Sequence, residues 1–214
     1  HAHFTPQAML ASLRSEANKF PNVELLHQDD SYQLVFAGRS PTRLLSPKLR
    51  ETEQRQTWMD EQSIDQQIVG GWLDSFGYEL PGEEGEAWSR FLNEFQMNGT
   101  DNNSRLTPLA TVPLQDGNRA AKVLKEALAG GFKGTMIGTQ PKGNEGNLDD
   151  PDLDPFWEAA NDLGATIYLH PMFGCGDPRL LDYDMINAVG RGTDTTTAVA
   201  RMLFAGHFLK YPNM

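Results

Sequence analysis

Apolar residues fall in short dense runs, separated by longer stretches in which they recur at helical spacing. The runs QQIVGGW (66–72), RLTPLATVPL (105–114), GTMIGT (134–139) and ATIYLHP (165–171) have strand length and are bounded by Gly or Pro. Their apolar positions are successive rather than alternating, as expected of strands covered on both faces in a parallel sheet. Between them, DGNRAAKVLKEALAGG offers Asp116 as N-cap, Ala121, Val123, Leu124 and Leu128 near helical spacing, and Gly130 and Gly131 as the stop. LDPFWEAANDLG offers Asp154 as N-cap, Pro155 at the first helical position and Gly164 as the stop. ETEQRQTWMDEQ and GEEGEAWSRFLNEFQMNG continue the alternation, and TDTTTAVARMLFAG opens a further helix capped by Thr193 or Asp194.

Strand and helix in alternation mean βα units and an α/β fold with a parallel sheet. The sheet is either an open doubly wound one or a closed (β/α)8 barrel, and the spacing does not choose between them. Segment 20–50 departs from the pattern. SYQLVFAGR reads there as one strand of a small β-hairpin inserted near 28–48. Neither a repeat of solenoid period nor a linker interrupts the chain, so residues 1–214 are expected to form a single domain.

Composition narrows the classes. With 39% hydrophobic and 22% charged residues the chain has the make-up of a globular protein. A formal net charge of -11 gives no general attraction to nucleic acid or an anionic membrane surface. A small anionic substrate stays compatible, because a metal or a single Arg outweighs the distant surface field locally. Cys175 is the sole cysteine, so no intrachain disulfide framework is available, and no apolar run has transmembrane length. A cytoplasmic enzyme is the expectation.

The chain opens HAHFTP. On an extended strand alternate side chains share a face, so His1 and His3 aim at one spot. His170, in YLHP, stands at the C-terminal end of an apolar strand, the end where parallel α/β folds gather their ligands. Zinc accepts several imidazole nitrogens at about 2.0–2.1 Å, and three histidines leave coordination positions open for water or substrate. The competing readings are a residual tag for the pair and a hydrogen-bonded strand-end histidine for His170; tags carry longer histidine runs. Asp149, Asp150, Asp152 and Asp154 lack the Gly and closing Glu of a calcium loop and read as capping residues in a solvated loop. GRGTDTTT lacks the Lys-Ser/Thr ending and preceding strand of a phosphate loop. The aromatics at 88, 91, 95, 156 and 157 read as core, and Cys175 has no base partner that would make it a nucleophile.

HAHF, RQTWMDEQSIDQQIV, FKGTMIGT, DLDPFWEAANDLGATIYLHP and TDTTTAVARMLFAG, in this order, resemble the amidohydrolase-related metal-dependent decarboxylases, the aminocarboxymuconate semialdehyde decarboxylase-like group. The resemblance implies a (β/α)8 TIM barrel of the metal-dependent hydrolase type with one divalent metal at its C-terminal mouth. Zn2+ is the first expectation, and Mn2+ remains open. It implies His1 and His3 as first-strand ligands and His170 as the fifth-strand ligand. Arg55 matches a position where an arginine can hold a substrate carboxylate, the competing reading being a surface arginine on the helix before the second strand. Phe173, just after the HP dipeptide, matches a pocket-wall aromatic. The family's acid/base His at the sixth strand and ligand Asp at the eighth would fall beyond Met214. The chain is therefore expected to be an incomplete barrel, strands one to five with their helices, truncated at both ends. The implied function is nonoxidative decarboxylation of a carboxylated aromatic or unsaturated semialdehyde acid, a small carboxylic acid substrate handled by a homodimer. The alternatives are a hydrolase or hydratase using a metal-bound hydroxide, and a noncatalytic truncated barrel.

Overall fold

A computed structural model of the chain describes residues 1–101, 103–143, 145–172 and 177–214. In chain order, β1 (Ala2–His3) leads into α1 (Gln7–Ser15), β2 (Val23–Gln28), β3 (Ser31–Phe36), α2 (Thr52–Glu61), β4 (Gln67–Gly70) and α3 (Gly82–Thr100). There follow β5 (Leu106–Pro108), α4 (Gly117–Ala129), β6 (Gly134–Gly138), α5 (Asp154–Leu163), β7 (Thr166–His170), α6 (Arg191–Phe204) and the short α7 (His207–Lys210).

Strands β1, β4 and β5 lie side by side and parallel, as do β6 and β7. One residue joins the two groups: Ala110 donates its N–H to the Gly134 carbonyl at 2.9 Å and accepts from Met136 N at 3.0 Å. The run RLTPLATVPL thus supplies three strand residues and a single bridge, because Pro108 has no N–H to continue a ladder. Leaving the β2–β3 hairpin aside, each described strand lies beside its predecessor in the chain. A doubly wound sheet would reverse its strand order at a switch point. The observed succession is that of a TIM-barrel wall, and it settles the choice that spacing left open.

The main core lies between this wall and helices α4 and α5, where Val112, Leu114, Leu124, Met136, Phe156 and Trp157 are almost fully buried. Gly134 permits the closest approach of β6 to β7, since a Cβ there would stand 2.0 Å from the Thr166 carbonyl oxygen. Gly164 closes α5 in the left-handed conformation at φ 58°, as a helix-stopping glycine should. Asp116 caps α4 by accepting from Arg119 N at 3.0 Å. Asp116→Ala is expected to lower stability by about 1 kcal/mol, read from the midpoint of a urea titration with an unchanged slope.

A second core joins the hairpin to α1 and α3 through Met9, Leu13, Phe20, Phe36, Trp88 and Phe91. Trp88 is fully buried and donates its indole N–H to the Ser75 carbonyl at 2.7 Å. The hairpin runs from Val23 to Phe36 and so starts before the segment that the pattern assigned to it. Its first strand, VELLHQ, hides from a period-two reading because Leu25 and Leu26 are consecutive and both only half-buried.

Two capping assignments are corrected. Helix α5 begins at Asp154 itself, with Leu153 at the cap position, because a preceding 3-10 turn capped by Asp150 already satisfies the entry. The Asp154 carboxylate instead accepts from Lys210 at 2.7 Å and from the Tyr211 hydroxyl at 2.9 Å. Helix α6 continues directly from a π-helical turn at Ile186–Gly190, so Thr193 and Asp194 stand inside its first turn rather than at a cap. No helix among the described residues is long and apolar enough to cross a membrane.

Candidate metal centre

His3 and His170 are the last residues of β1 and β7, and His1 immediately precedes β1. The register pairs Ala2 with Val69 and His3 with Gly70, which sets the C-terminal end of β1 level with that of β4. His170 is the last residue of β7, paired with Gly138 of β6. The structure brings His1, His3 and His170 together, with one nitrogen of each lying within 4.8 Å of the others. Ring centroids stand 5.4 Å apart for His1 and His3, 5.6 Å for His1 and His170, and 4.9 Å for His3 and His170. It is the sole convergent group of metal-ligand residues among the described residues.

Hydrogen bonds select which nitrogen each ring offers. The Nδ1 of His3 lies 2.9 Å from the Gly71 carbonyl, and that of His170 lies 2.9 Å from the Pro171 carbonyl. A carbonyl only accepts, so each Nδ1 carries the proton and each Nε2 keeps its lone pair. His1 Nδ1 lies 2.6 Å from the Tyr168 hydroxyl, and with its proton on Nδ1 it offers the same nitrogen as the other two. The donor set therefore suits a borderline divalent cation such as zinc.

Burial keeps two of the rings neutral, those of His3 and His170. Desolvation is the main force lowering the pKa of His170, to about 4, and the charges of His3, Arg191 and Arg43 push it further in that direction. His3 is lowered for the same first reason. A neutral imidazole is the ligating form, so the site is prepared for a cation without first losing protons near pH 7.

Arg55 is not a surface arginine. Its guanidinium is buried, with Nη1 donating to Gln67 Oε1 at 2.7 Å and Nη2 to the His3 carbonyl at 2.6 Å. Phe4 N–H bonds the Gly70 carbonyl of β4, which turns the His3 carbonyl toward the opposite edge of β1. One N–H of each Nη is thus engaged with the protein, Nε makes no hydrogen bond among the described residues, and Arg55 braces the strand that bears His3. Helix phase alone could not reveal this, because it depends on the distance between α2 and β1. Phe173 and Cys175 lie outside the described residues.

The sequence reading missed Tyr168, the partner of His1, although its position two residues before His170 on one strand places both on the same face. It also missed Arg43 and Arg191, whose positive charges bear on both His3 and His170. A cavity of about 250 Å³ borders the same end of the sheet, walled by Phe36, Pro41, Phe76, Tyr78 and Met172 and including Arg39. The four aspartates at 149–154 do not converge; Asp149 pairs with Arg201 at 2.8 Å, and Asp150 caps its turn.

Comparison with known proteins agrees with this fold. The 2-amino-3-carboxymuconate-6-semialdehyde decarboxylase of Dictyostelium discoideum is 28% identical over 158 residues, covering 73% of this chain and 44% of that protein. The 5-carboxyvanillate decarboxylase structure from Sphingomonas paucimobilis superposes with a TM-score of 0.74 at 23% identity, over 100% of this chain and 64% of that one. A Metarhizium anisopliae IDCase in apo form gives 0.75 at 25% identity, over 100% and 62%. A 5-carboxyvanillate decarboxylase from Novosphingobium aromaticivorans, complexed with manganese and 4-hydroxy-3-methoxy-5-nitrobenzoic acid, gives 0.74 at 21%, over 99% and 61%. The chain thus spans less than half the length of its curated relative and less than two thirds of these structures. The family model described as Amidohydrolase matches residues 82–214, more than half of the chain, and the chain belongs to the amidohydrolase family.

Proposed function

We propose that the protein is a metal-dependent nonoxidative decarboxylase of a small carboxylated aromatic or unsaturated semialdehyde acid, with His1, His3 and His170 as its metal ligands. The observation that carries this reading is the convergence of three imidazoles at strand ends, two of them held neutral by burial. The decarboxylase names of the relatives support the reaction class. The share of those relatives that the chain covers is in keeping with strands one to five of a (β/α)8 barrel.

A divalent cation held there supplies Lewis-acid charge to a bound oxygen. The remaining work falls to the chain itself. Phe36, Pro41, Phe76 and Met172 give the neighbouring cavity apolar walls that suit a planar ring and exclude water from it. Arg43 and Arg191 place positive charge near His3 and His170, and that of Arg43 is balanced by its bidentate pair with Asp74 at 2.9 Å. The Gly71 and Pro171 carbonyls hold His3 and His170 in the Nδ1–H tautomer, and the Tyr168 hydroxyl orients the ring of His1. Imidazole donors favour zinc, and the manganese in the Novosphingobium complex makes Mn2+ the second metal to load.

The test is to load the protein with zinc or manganese and supply hydroxybenzoates and enoic semialdehyde acids bearing a carboxylate. Carbon dioxide is expected in step with substrate loss. Water-addition products without carbon dioxide would replace this reading with the hydrolase or hydratase one, and a metal-loaded protein inert toward all of them would defeat it.

A further inference from the structure

Asp194 is unexplained by capping, yet it is nearly buried and turned toward the end of the sheet. Its Oδ2 accepts from the Thr139 hydroxyl at 2.5 Å and from the Met172 N–H at 2.8 Å. That N–H and the Pro171 carbonyl belong to one peptide group. The Pro171 carbonyl is the acceptor for Nδ1 of His170, at 2.9 Å. The three groups stand in line: carboxylate, peptide, imidazole. Thr139 completes the clamp, since its N–H donates to the His170 carbonyl at 3.1 Å and its Oγ1 lies 3.1 Å from Met172 N.

We propose that Asp194 is a positioning residue for His170, acting through the Pro171–Met172 peptide to fix the tautomer and direction of the ring. This rests on the proposed metal site, for which His170 supplies a ligand. A carboxylate accepting from the peptide N–H polarises the amide, so its carbonyl becomes a stronger acceptor and holds the Nδ1 proton more firmly. Metal-bound histidines commonly donate their second N–H to a carboxylate or a carbonyl, and here the carboxylate works one peptide removed. Thr139 alone would position the loop without contributing charge, so charge and geometry can be separated by substitution.

Two readouts decide it. In the metal-free protein, long-range 1H–15N spectra should show His170 protonated at Nδ1 in the wild type and a shift toward the Nε2–H tautomer in Asp194→Asn. With Co2+ as probe, Asp194→Asn should lose about ten-fold in affinity and Asp194→Ala about a hundred-fold, with an altered visible absorption band. Thr139→Val keeps the Asp194–Met172 contact and should bind Co2+ close to wild type despite any loss of stability. Wild-type Co2+ affinity, band and tautomer in Asp194→Asn would overturn the proposal. If Asp194 variants fail to fold, a wild-type His170 protonated at Nε2 overturns it and one protonated at Nδ1 supports it. A wild type that binds no Co2+ defeats the metal site, while the tautomer shift still reads the contact with Asp194 independently.

Discussion

His170→Ala is expected to leave a folded protein that no longer retains zinc or manganese through dialysis. Substitutions among the groups that merely orient a ligand cost about ten- to a hundred-fold in metal affinity, so removing a ligand should exceed a hundred-fold. His170 is the one member of the trio that is almost fully buried, and its lone pair is already desolvated. Much of the cost of stripping water from a ligand is therefore met during folding, and the remaining two rings cannot replace it. His3→Ala should behave alike, since its ring is tied to Gly71 and lies 4.9 Å from that of His170. His27→Ala is the control, an exposed histidine on the hairpin, stacked on Tyr32 and outside the trio. Metal content after dialysis checks all three. A full equivalent retained by His170→Ala would contradict the ligand assignment.

The metal-free protein should lose stability as pH falls from 6.5 toward 4, and His170 accounts for a definable part of that loss. Its ordinary value of 6.5 is lowered to about 4 by burial, so the unfolded chain takes up a proton in this interval that the folded chain refuses. The stability that this group contributes is complete above 6.5 and is lost as pH falls through the folded value. Integrated, the effect amounts to about 3 kcal/mol. His3 shifts in the same direction and adds to it. Urea titrations at pH 7 and pH 4.5 measure the change. His170→Ala should reduce it by the His170 share and leave the parts due to His3 and His207, while carboxylates held low, such as Glu86 at about 2, begin to cost stability only near their ordinary value of 4.5. An equal fall in both proteins would remove His170 from the account.

Much of this was readable before any coordinates. The apolar runs at 66–72, 134–139 and 165–171 each contain a parallel strand; β6 is buried throughout, whereas β4 exposes Ile68 and β7 is mostly half-buried. His1, His3 and His170 could be singled out because strand periodicity fixes which face a residue takes. What the pattern did not reveal depended on distances between elements. Arg55 sits on a helix as expected, but only the approach of α2 to the edge of β1 decides that its guanidinium meets a backbone carbonyl. Asp194 looked like a cap because the π-helical turn before it, which carries the helix further back, has no pattern of its own. Tyr168 could be placed on the correct face, yet its partner is 167 residues away.

The hairpin has a consequence for the shape of the cavity. It and the segment after it supply Phe36, Arg39 and Pro41 to the cavity wall, whereas all three histidines stand on or directly before the barrel strands. In the proposed reading the hairpin contributes to the cavity but supplies none of the three imidazoles, while Phe76, Tyr78 and Met172 of the main core complete the cavity wall. On that reading, changes within residues 36–41 would reshape the cavity without replacing any of the three histidines.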